Sequence, residues 1–447
     1  RYCLLSRGLG DVYKRQTTNN ANGGEAVINT YSYNNRRLLI GEGMTQAGVG
    51  TALSIGYGYD AHGNLVTHTY PSGLALSYAP NALGQPTQAG PYATGVSYYP
   101  NGAIKQFTYG NGVVHTMTQN ARQMPARSTD TGGGAVIDMA YGFDPNGNVS
   151  AVTDYVDGRQ TRSMSYDGLD RLATTQSVMF GGDNQAAFTY DALDNLKTFK
   201  VGAVSNYVYA YNARQQLETV SNAGSGSAVI GLGYDAQGNL ANKNGQTYAF
   251  DYGNRLRSVP NKESYRYDAS GRRVLSVASN GNIYSLYGQD GVLRYQQNQR
   301  TNRRYEYVYL GGSLVARISN VQSVGTATAS VPASNGTGAY TVSWTAVTDA
   351  TTYTLQEKVG STGAWTTVYS GSATSYGASG KGTSVYSYRV QACAGSTCGG
   401  WSNEATVAVT LPTAPSGAPS VSAPGTSSSG AYSISWTSVS TATSYEV

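Results

Sequence analysis

A short phrase returns along most of this chain, in which an aromatic residue is followed by Asp and, a few positions on, by Gly. One full copy reads YDAQGNL at residues 234–240. An Asp at this place accepts hydrogen bonds from the amides just ahead and begins a turn, and Gly supplies the left-handed residue that closes it. The flanking segments are therefore predicted to form a β-hairpin, and a chain that repeats the phrase is a repeat protein.

The copies are spaced by the length of one hairpin. The aromatic residues at positions 143, 166, 190, 211 and 234 are separated by 23, 24, 21 and 23 residues. Two strands of about five or six residues and two turns fill this length. We expect a continuous antiparallel sheet over residues 25–320, with each tyrosine packed against the next repeat. The turn positions marked by the phrase are Tyr59, Asp60, Gly63, Phe143, Asp144, Gly147, Tyr166, Asp167, Tyr190, Asp191, Tyr234, Asp235, Gly238, Tyr267, Asp268 and Gly271.

The phrase resembles the YD repeat of Rhs proteins, which teneurins and the shell components of Tc toxins share. The sequence YEYVYLGGSLVAR at residues 305–317 is similar to the segment that closes the repeat run in that family. The resemblance covers residues 25–320. It implies an all-β fold, in which a spiral antiparallel β-sheet of hairpins forms part of a hollow shell. The self-cleavage signature that usually comes next in Rhs chains is not found in residues 318–447, so no autoproteolytic residue is carried over.

Composition agrees with a β-repeat protein. The 447 residues include 56 glycines and 38 tyrosines, which suit many turns and half-buried strands. No stretch has the apolar spacing of an amphipathic helix, so almost no helix is expected. Charged residues make up 12% and the net charge of +5 is not clustered, which argues against nucleic acid as a partner. No run of about 20 apolar residues is present, so no membrane span is expected.

Both ends of the repeat region differ from it in sequence. Residues 1–16 fit no repeat and resemble the translated read-through of a sequencing adaptor. We expect them to be a non-native artefact and leave them out of the fold prediction, and we expect the repeat sheet to occupy residues 17–320. Residues 321–331 are rich in Ser, Thr, Ala and Val without the phrase, and are predicted to be a linker. A second linker is predicted at residues 412–423.

A second, longer repeat comes after the first. Residues 332–355 and residues 424–447 align at an offset of 92, with Tyr, Trp and Tyr at matching places. A module of that length with strict alternation and no helix has the size of a β-sandwich. We therefore predict a sandwich over residues 332–411 that folds alone. The second copy, residues 424–447, holds only the beginning of a module and is expected to be poorly ordered or docked opportunistically.

The details of this module resemble fibronectin type III. Trp344 stands where that family places a core tryptophan in its second strand, and Tyr353 lies in a segment similar to its third strand. Tyr386 occupies the tyrosine-corner position. The resemblance implies that these three residues lie in the core of a fibronectin type III β-sandwich.

Two cysteines lie close together in this module. Cys393 and Cys398 are separated by four residues that include a glycine, which lets their Cα atoms approach disulfide distance. We expect a disulfide, formed in an oxidising compartment. The alternative is a pair of reduced, half-buried thiols. A metal site is not expected, because two thiolates without a third ligand do not fill a tetrahedral shell.

Candidate catalytic residues are scarce. The three histidines are His62 in a turn and His68 and His115 in strand-like segments, and all three are expected to be exposed. The recurring Asp residues are assigned to turns, since calcium-binding repeats have a much shorter period. A pair of carboxylates for glycoside hydrolysis stays open in principle, because any two Asp residues can meet in space, but nothing singles out a pair. We expect no enzyme activity and no cofactor.

Two classes of function are compatible with these features. The first is a structural wall and spacer of a secreted or cell-surface bacterial Rhs-type protein, used in toxin packaging, intercellular competition or adhesion. Its partner is an encapsulated toxin domain, and its open sheet is expected to expose an inner face. The alternative is a carbohydrate-binding or cell-wall-associated module of a larger carbohydrate-active enzyme. Its partner is a cell-surface carbohydrate, because tyrosine-rich β-surfaces stack on sugars and fibronectin-type spacers accompany such enzymes.

Overall fold

The computed structural model describes residues 12–19, 26–46 and 52–447, and it divides into two compact units, residues 1–320 and 321–447. The described residues form an all-β protein, as the sequence predicts. Nearly all strand pairs are antiparallel. The described helical segments are two three-residue 3-10 turns, Gly158–Gln160 and Val178–Phe180.

The first unit contains three antiparallel sheets, in each of which the strands follow chain order. The first sheet consists of β1 (Val12–Asn19), β2 (Ala26–Tyr33), β3 (Leu39–Gln46), β4 (Leu53–Tyr59), β5 (Leu65–Thr69) and β6 (Ala75–Ser77). The second consists of β7 (Ala93–Tyr98), β8 (Ile104–Tyr109), β9 (Val114–Gln119), β10 (Pro125–Thr131), β11 (Ala135–Phe143), β12 (Val149–Asp154), β13 (Arg162–Tyr166), β14 (Leu172–Gln176), β15 (Gln185–Tyr190), β16 (Leu196–Val201), β17 (Ser205–Tyr211), β18 (Leu217–Asn222), β19 (Ala228–Tyr234), β20 (Leu240–Lys243) and β21 (Gln246–Thr247). The third consists of β22 (Ala249–Phe250), β23 (Leu256–Val259), β24 (Glu263–Tyr267), β25 (Arg273–Ala278), β26 (Gly281–Tyr287), β27 (Leu293–Asn298), β28 (Arg303–Leu310) and β29 (Ser313–Val321).

The prediction of one continuous sheet is therefore wrong, and the breaks have local causes. After β6 the chain carries Pro80, Pro86 and Pro91, and only isolated bridges form there. Proline has no amide hydrogen to give to a ladder, so three prolines in a dozen residues end the sheet. At the second break, β21 and β22 are two residues long each, too short to carry the ladder onward.

The first and third sheets share apolar cores, which the sequence did not predict. One cluster joins Val27, Met44 and Ile55 to residues of β25–β27, and another joins Tyr70 and Leu76 to residues of β7, β8 and β28. These contacts bring residues more than 200 positions apart together. The expectation of a face left open along the whole repeat region is therefore wrong for its two ends.

The middle of the second sheet has no such cover. All residues of β9–β20 are described, and only five of their side chains are buried: Val152, Asp154, Thr175, Ala186 and Val220. Most other side chains of these strands are half-buried or exposed. In this part of the first unit the sheet has no second layer among the described residues, which agrees with the predicted open face.

The beginning of the described chain adds a strand to the first sheet. Residues 1–11 lie outside the described residues. Residues 12–19, however, form β1 and pair antiparallel with β2. Residues 12–16, which the fold prediction leaves out, thus lie in a strand. The physical reason is that the edge of β2 offers unpaired backbone groups to any extended segment, whatever its side chains.

The second unit contains a β-sandwich. One sheet is formed by β30 (Ala329–Ser330), β32 (Tyr340–Trp344) and β35 (Ser375–Ala378). The other is formed by β31 (Ser334–Asn335), β33 (Thr352–Val359), β34 (Thr366–Gly371), β36 (Ser384–Ala394), β37 (Thr397–Trp401) and β38 (Ala405–Val409). Seventeen residues form its buried core, including Val342, Leu355, Val390 and Val407, none of which is exposed at all. Two short strands, β39 (Val421–Ser422) and β40 (Ser435–Trp436), pair separately.

Residues 321–331, predicted to be a linker, are part of the sandwich. Val321, Val324, Ala327 and Ala329 are buried in the core, and β30 pairs with β32. The segment reads as a linker because its residues are small and carry no turn phrase. Small apolar residues nevertheless suit the narrow space under a sandwich edge, where they contribute burial.

The second copy of the module repeats the local contacts of the first without its core. The Tyr353 hydroxyl accepts from the amide of Val347 at 3.0 Å, and Tyr445 does the same for Val439 at 2.6 Å. The Trp–Tyr ring pair recurs at centroid distances of 5.9 and 5.8 Å. However, Trp436 is 40% exposed where Trp344 is 6% exposed. Local contacts form within the segment, whereas burial needs strands from elsewhere.

The buried segment 321–331 generates a prediction about stability. A fragment of residues 321–411 is expected to unfold cooperatively, and a fragment of residues 332–411 to be less stable by about 3–5 kcal/mol, because four core side chains are lost. Urea unfolding followed by tryptophan fluorescence measures the difference, since both fragments contain the same three tryptophans. Equal midpoints for the two fragments would contradict the assignment of residues 321–331 to the core.

Candidate functional site

The most regular feature of the first unit is the turn that ends each hairpin. In the copy at residues 234–240, Asp235 Oδ1 accepts from the amides of Gln237 and Asn239 at 2.9 and 2.8 Å. The backbone closes the same loop, since the Gly238 amide donates to the Asp235 carbonyl. Gly238 has a φ of 88°, the left-handed region that the sequence predicts for this position.

Glycine is not required at this position in every copy. The residue three places after the Asp or Asn has positive φ in eleven turns: Arg37, Gly63, Gly84, Gln123, Gly147, Asp170, Asp194, Gln215, Gly238, Asn254 and Gly271. Six of these are not glycine, and a left-handed conformation costs such residues about 1 kcal/mol. The hydrogen bonds to the Asp or Asn oxygen therefore hold the turn even against this cost.

The tyrosine of the phrase binds the preceding repeat. The hydroxyl of Tyr234 donates to the carbonyl of Leu217 at 2.7 Å. Leu217 is the last residue of the previous phrase and the first of its return strand. The same bond recurs from Tyr59, Tyr166, Tyr190, Tyr211 and Tyr267 to Leu39, Val149, Leu172, Leu196 and Leu256.

The expectation that each tyrosine packs on the next repeat is therefore wrong in direction. The side of β19 towards the next repeat is occupied by β20, the return strand of the same hairpin. The hydroxyl of Tyr234 accordingly finds its acceptor on the other side, at the start of β18.

Contact with the next repeat is made by the residue four places after the Asp. Arg171 donates to the carbonyl of Asp191 at 3.0 Å and pairs with Asp194 at 2.7 Å. Its guanidinium also lies 4.8 Å from the ring centre of Tyr190. Arg255 and Arg272 stack in the same way on Tyr267 and Tyr287. Where the residue is Asn, as in Asn195, its amide donates to a side chain of the next turn.

These contacts decide what the turn carboxylates can do chemically. Hydrogen bonds from the Asn195 side chain and from turn amides lower the pKa of Asp191, and the pKa of Asp235 is lowered in the same way by Asn239. A carboxylate that is ionised and already accepts three hydrogen bonds has little capacity to take a proton from a substrate. The hydrogen bonds that these carboxylates accept hold the turns of the chain.

The turn geometry generates a prediction with a matched control. Asp235→Ala leaves the amides of Gln237 and Asn239 without an acceptor, and they should exchange hydrogen about tenfold faster. Asp235→Asn keeps the acceptor oxygen and should exchange like the wild type, because Asn212 already fills this place in the neighbouring turn. Hydrogen exchange of the peptide at residues 234–240 is the measurement. Equal exchange in both variants would contradict the role of the side-chain oxygen.

A second polar group lies between the first and third sheets, and sequence reasoning missed it. His68 was expected to be exposed but is 1% exposed, stacked between Tyr57 and Tyr70 at centroid distances of 5.0 and 4.4 Å. Tyr57 donates to Glu42 at 2.8 Å, and Tyr70 donates to the carbonyl of Tyr307 at 2.7 Å. We name this group, Glu42, Tyr57, His68 and Tyr70, the polar seam.

Burial determines the protonation states of the titratable groups in the polar seam. Desolvation, with the nearby charge of Arg294, lowers the pKa of His68 to about 3, so the ring is neutral at neutral pH. Desolvation raises the pKa of Glu42, and it raises that of Glu306 on β28, which is 2% exposed. The missed signal was non-local: the strand pattern around His68 does not show that a second sheet covers it.

The depressed pKa of His68 generates a prediction with a defined sign. Its folded pKa lies below the ordinary value of 6.5, so its contribution is present above pH 6.5 and is lost as the pH falls towards 3. Compared with His68→Phe, the wild type should lose about 1.4 kcal/mol for each pH unit below about 6.5. Glu42 and Glu306 have raised pKa values and act in the opposite direction, but both proteins contain them.

The measurement is urea unfolding of both proteins from pH 7 to pH 5. Met44→Leu is the control, because Met44 is buried in the same core without a titratable group. The difference in unfolding free energy between Met44→Leu and the wild type should not vary with pH. If the difference in unfolding free energy between the wild type and His68→Phe stays constant from pH 7 to pH 5, the assignment of a buried neutral histidine is contradicted.

The remaining histidines lie apart from this group. His62 is exposed in a turn, as expected, whereas His115 is half-buried, and its Nδ1 lies 2.7 Å from Asp130 Oδ1 on the neighbouring strand. Within the described residues, no three His, Cys, Asp or Glu side chains come close enough to hold a metal ion. The described part of the chain also contains no helix with the length and apolar character to cross a membrane.

In the second unit, Cys393 and Cys398 are joined in a disulfide, with Cα atoms 4.0 Å apart. Trp344, Tyr353 and Tyr386 all lie in the sandwich core. The hydroxyl that links buried groups across the module belongs to Tyr388, which donates to Glu357 at 2.6 Å and contacts the Tyr340 hydroxyl at 2.8 Å.

The outer face of the larger sheet carries a ladder of stacked cations and indoles. The guanidinium of Arg389 lies 4.4 Å from the ring centres of both Trp365 and Trp401. Lys358 lies 4.8 Å from the ring centre of Trp365. Both tryptophans are thus already engaged by neighbouring cations.

Comparison with known sequences identifies the repeats. Residues 59–90 and 143–183 match the RHS repeat family. These stretches contain the phrases at Tyr59, Phe143 and Tyr166, so the turns at these three phrases lie in segments that match RHS repeats. No curated protein sequence matches the chain.

Among solved structures, the chain is similar to that of TcdB2-TccC3, at 14% identity and a TM-score of 0.42. The match covers 75% of this chain, which spans about a fifth of the length of that one, at 21%. A Fn3-like protein from Clostridium thermocellum matches at 22% identity and a TM-score of 0.17, covering 20% of this chain and 93% of that protein. At these values the similarities assign neither activity nor partner.

Proposed function

We propose that the chain is a non-catalytic wall segment and spacer of an Rhs-type shell, in a secreted or cell-surface bacterial protein. The observation that carries the proposal is the internal use of each repeat's polar groups. The tyrosine of one phrase is bound to the preceding repeat, the Asp to its own turn, and the Arg or Asn to the following repeat. Groups so engaged serve to join repeats into a wall.

The partner that fits this proposal is an encapsulated toxin domain, and the packaging of a toxin, intercellular competition or adhesion is the proposed use. Support comes from the RHS repeats and from the middle of the second sheet, where β9–β20 carry no covering layer among the described residues. A fibronectin type III module after the wall is proposed to act as a spacer. The Trp344 and Tyr353 core supports that proposal.

The carbohydrate alternative gains less support. Stacking on a sugar needs an aromatic ring with a free face. Trp365 is stacked with Arg389 and Lys358, and Trp401 with Arg389. These rings are the prominent aromatic groups on the outer face of the sandwich, and they already have cationic partners.

The proposal is tested by removing one whole repeat. Deleting residues 211–233 should leave a folded protein, because Tyr234 then takes the place of Tyr211 and donates to Leu196. Deleting residues 223–233 removes all of β19 except Tyr234 and reverses the direction of the strand that enters the next turn, so it should unfold the neighbouring hairpins. Circular dichroism and thermal unfolding compare the two. An equal loss of β-sheet signal and of thermal stability in both deletion variants would contradict a wall of interchangeable units.

The absence of catalysis is tested on the same preparations. Wild type and the fold-preserving variants Asp191→Asn and Asp235→Asn are assayed with glycosidase, nuclease and protease substrates. We expect no turnover in any of them. Turnover that survives purification and disappears in one of the variants would overturn the non-catalytic part of the proposal, since the variant retains the turn.

A further inference from the structure

The disulfide closes a hairpin whose far strand pairs, among the described strands, with its partner β36. In the pairing of β36 with β37, Cys393 and Cys398 stand directly opposite each other. β37 pairs with no strand other than β36, through three residue pairs interrupted by a shift in register. Cys393 is buried, whereas Cys398 is exposed.

The strand β37 lies directly on the backbone of residues 321–326, which we name the entry segment. A Cβ atom added at Gly399 would lie 2.2 Å from the Gly325 carbonyl oxygen and 2.7 Å from that of Val324. No side chain fits between these two backbones, so only glycine is accommodated here. The Thr397 hydroxyl also donates to the Val321 carbonyl at 3.5 Å.

The entry segment is held from its other side by the sandwich core. Val321 and Val324 are buried there. Just beyond, the Asn403 side chain accepts from the Ala329 amide at 2.9 Å and donates to the Ala329 carbonyl at 3.0 Å. Asn403 lies two residues after the end of β37 in the chain. The hairpin that the disulfide closes thus covers the entry segment and positions the residue that anchors Ala329.

We propose that the Cys393–Cys398 disulfide is a thiol-sensitive fastener, which a low-molecular-weight thiol opens at Cys398 and whose opening releases the entry segment from the rest of the second unit. The exposed position of Cys398 gives the attacking thiol access. The direct contact of β37 with the entry segment couples the bond to residues more than 65 positions earlier in the chain.

The chemistry is thiol–disulfide exchange. A thiolate attacks Sγ of Cys398, the bond between the two sulfurs breaks, and the electron pair leaves on Sγ of Cys393, which takes a proton from water. A second thiolate then attacks the thiol-derived sulfur of the mixed disulfide and frees Cys398. Two protein sulfurs are reduced, and two thiols are oxidised to one disulfide.

The test is hydrogen exchange of the full chain with and without dithiothreitol, in a Cys3→Ser background so that alkylation and mass count only these two cysteines. The peptide at residues 321–330 is the reporter, since its Thr328 and Ala329 amides have side-chain acceptors in the module. Reduction should raise its exchange about tenfold. The peptide at residues 366–371 should not change, because β34 pairs with β33 at the far edge of the larger sheet.

Two variants separate the bond from the contact it maintains. The double variant Cys393→Ser/Cys398→Ser should show fast exchange at residues 321–330 without dithiothreitol and no response to it. Gly399→Ala should show fast exchange with the disulfide intact, because its Cβ displaces the entry segment. Equal exchange of the oxidised and fully reduced wild type would overturn the fastener. A bond that dithiothreitol leaves unreduced in the folded protein would overturn the access of thiols to Cys398.

Discussion

The first unit depends on one interaction, the pair of hydrogen bonds that a side-chain oxygen accepts from two amides of the turn just after it. In the copy at Asp235 these bonds hold the corner of the hairpin and fix where the strand before it ends. The position of that strand end places the Tyr234 hydroxyl over the previous repeat. Because the same oxygen is repeated along the chain, each corner locates the next, and the register of a long sheet results from a local rule.

A rule of this kind produces a row of hairpins but does not close its ends. Repeat proteins usually need distinct terminal elements, because the last unit has no neighbour to bury its apolar face. In this unit the first and third sheets bury one another instead, through apolar clusters that include Met44 and Leu286. The polar seam around His68 is part of this arrangement. His68 is almost fully buried there, so the contact excludes water from its ring although several members of the polar seam are polar.

The sandwich differs from the repeat sheets, because its stability depends on contacts between residues far apart in sequence. The segment at residues 424–447 makes the same local contacts as its counterpart in the complete module, including the Trp436–Tyr445 pair. Those contacts leave Trp436 substantially exposed, while Trp344 is covered by strands from later in the chain. The entry segment also depends on residues that lie far from it in the sequence. Its small residues carry no recognisable pattern, yet they complete the core once β37 lies over them.

Local sequence pattern is sufficient to predict the turns, the alternating strands and the near absence of helix, because each rests on contacts within a few residues. Asp235, Gly238 and Tyr234 could be assigned to a hairpin corner from their spacing. Long-range packing, in contrast, sets the burial of His68 and the place of residues 321–331. Each of these depends on which distant segment packs against the residue, and hydrophobic burial has no directional preference that a local pattern records.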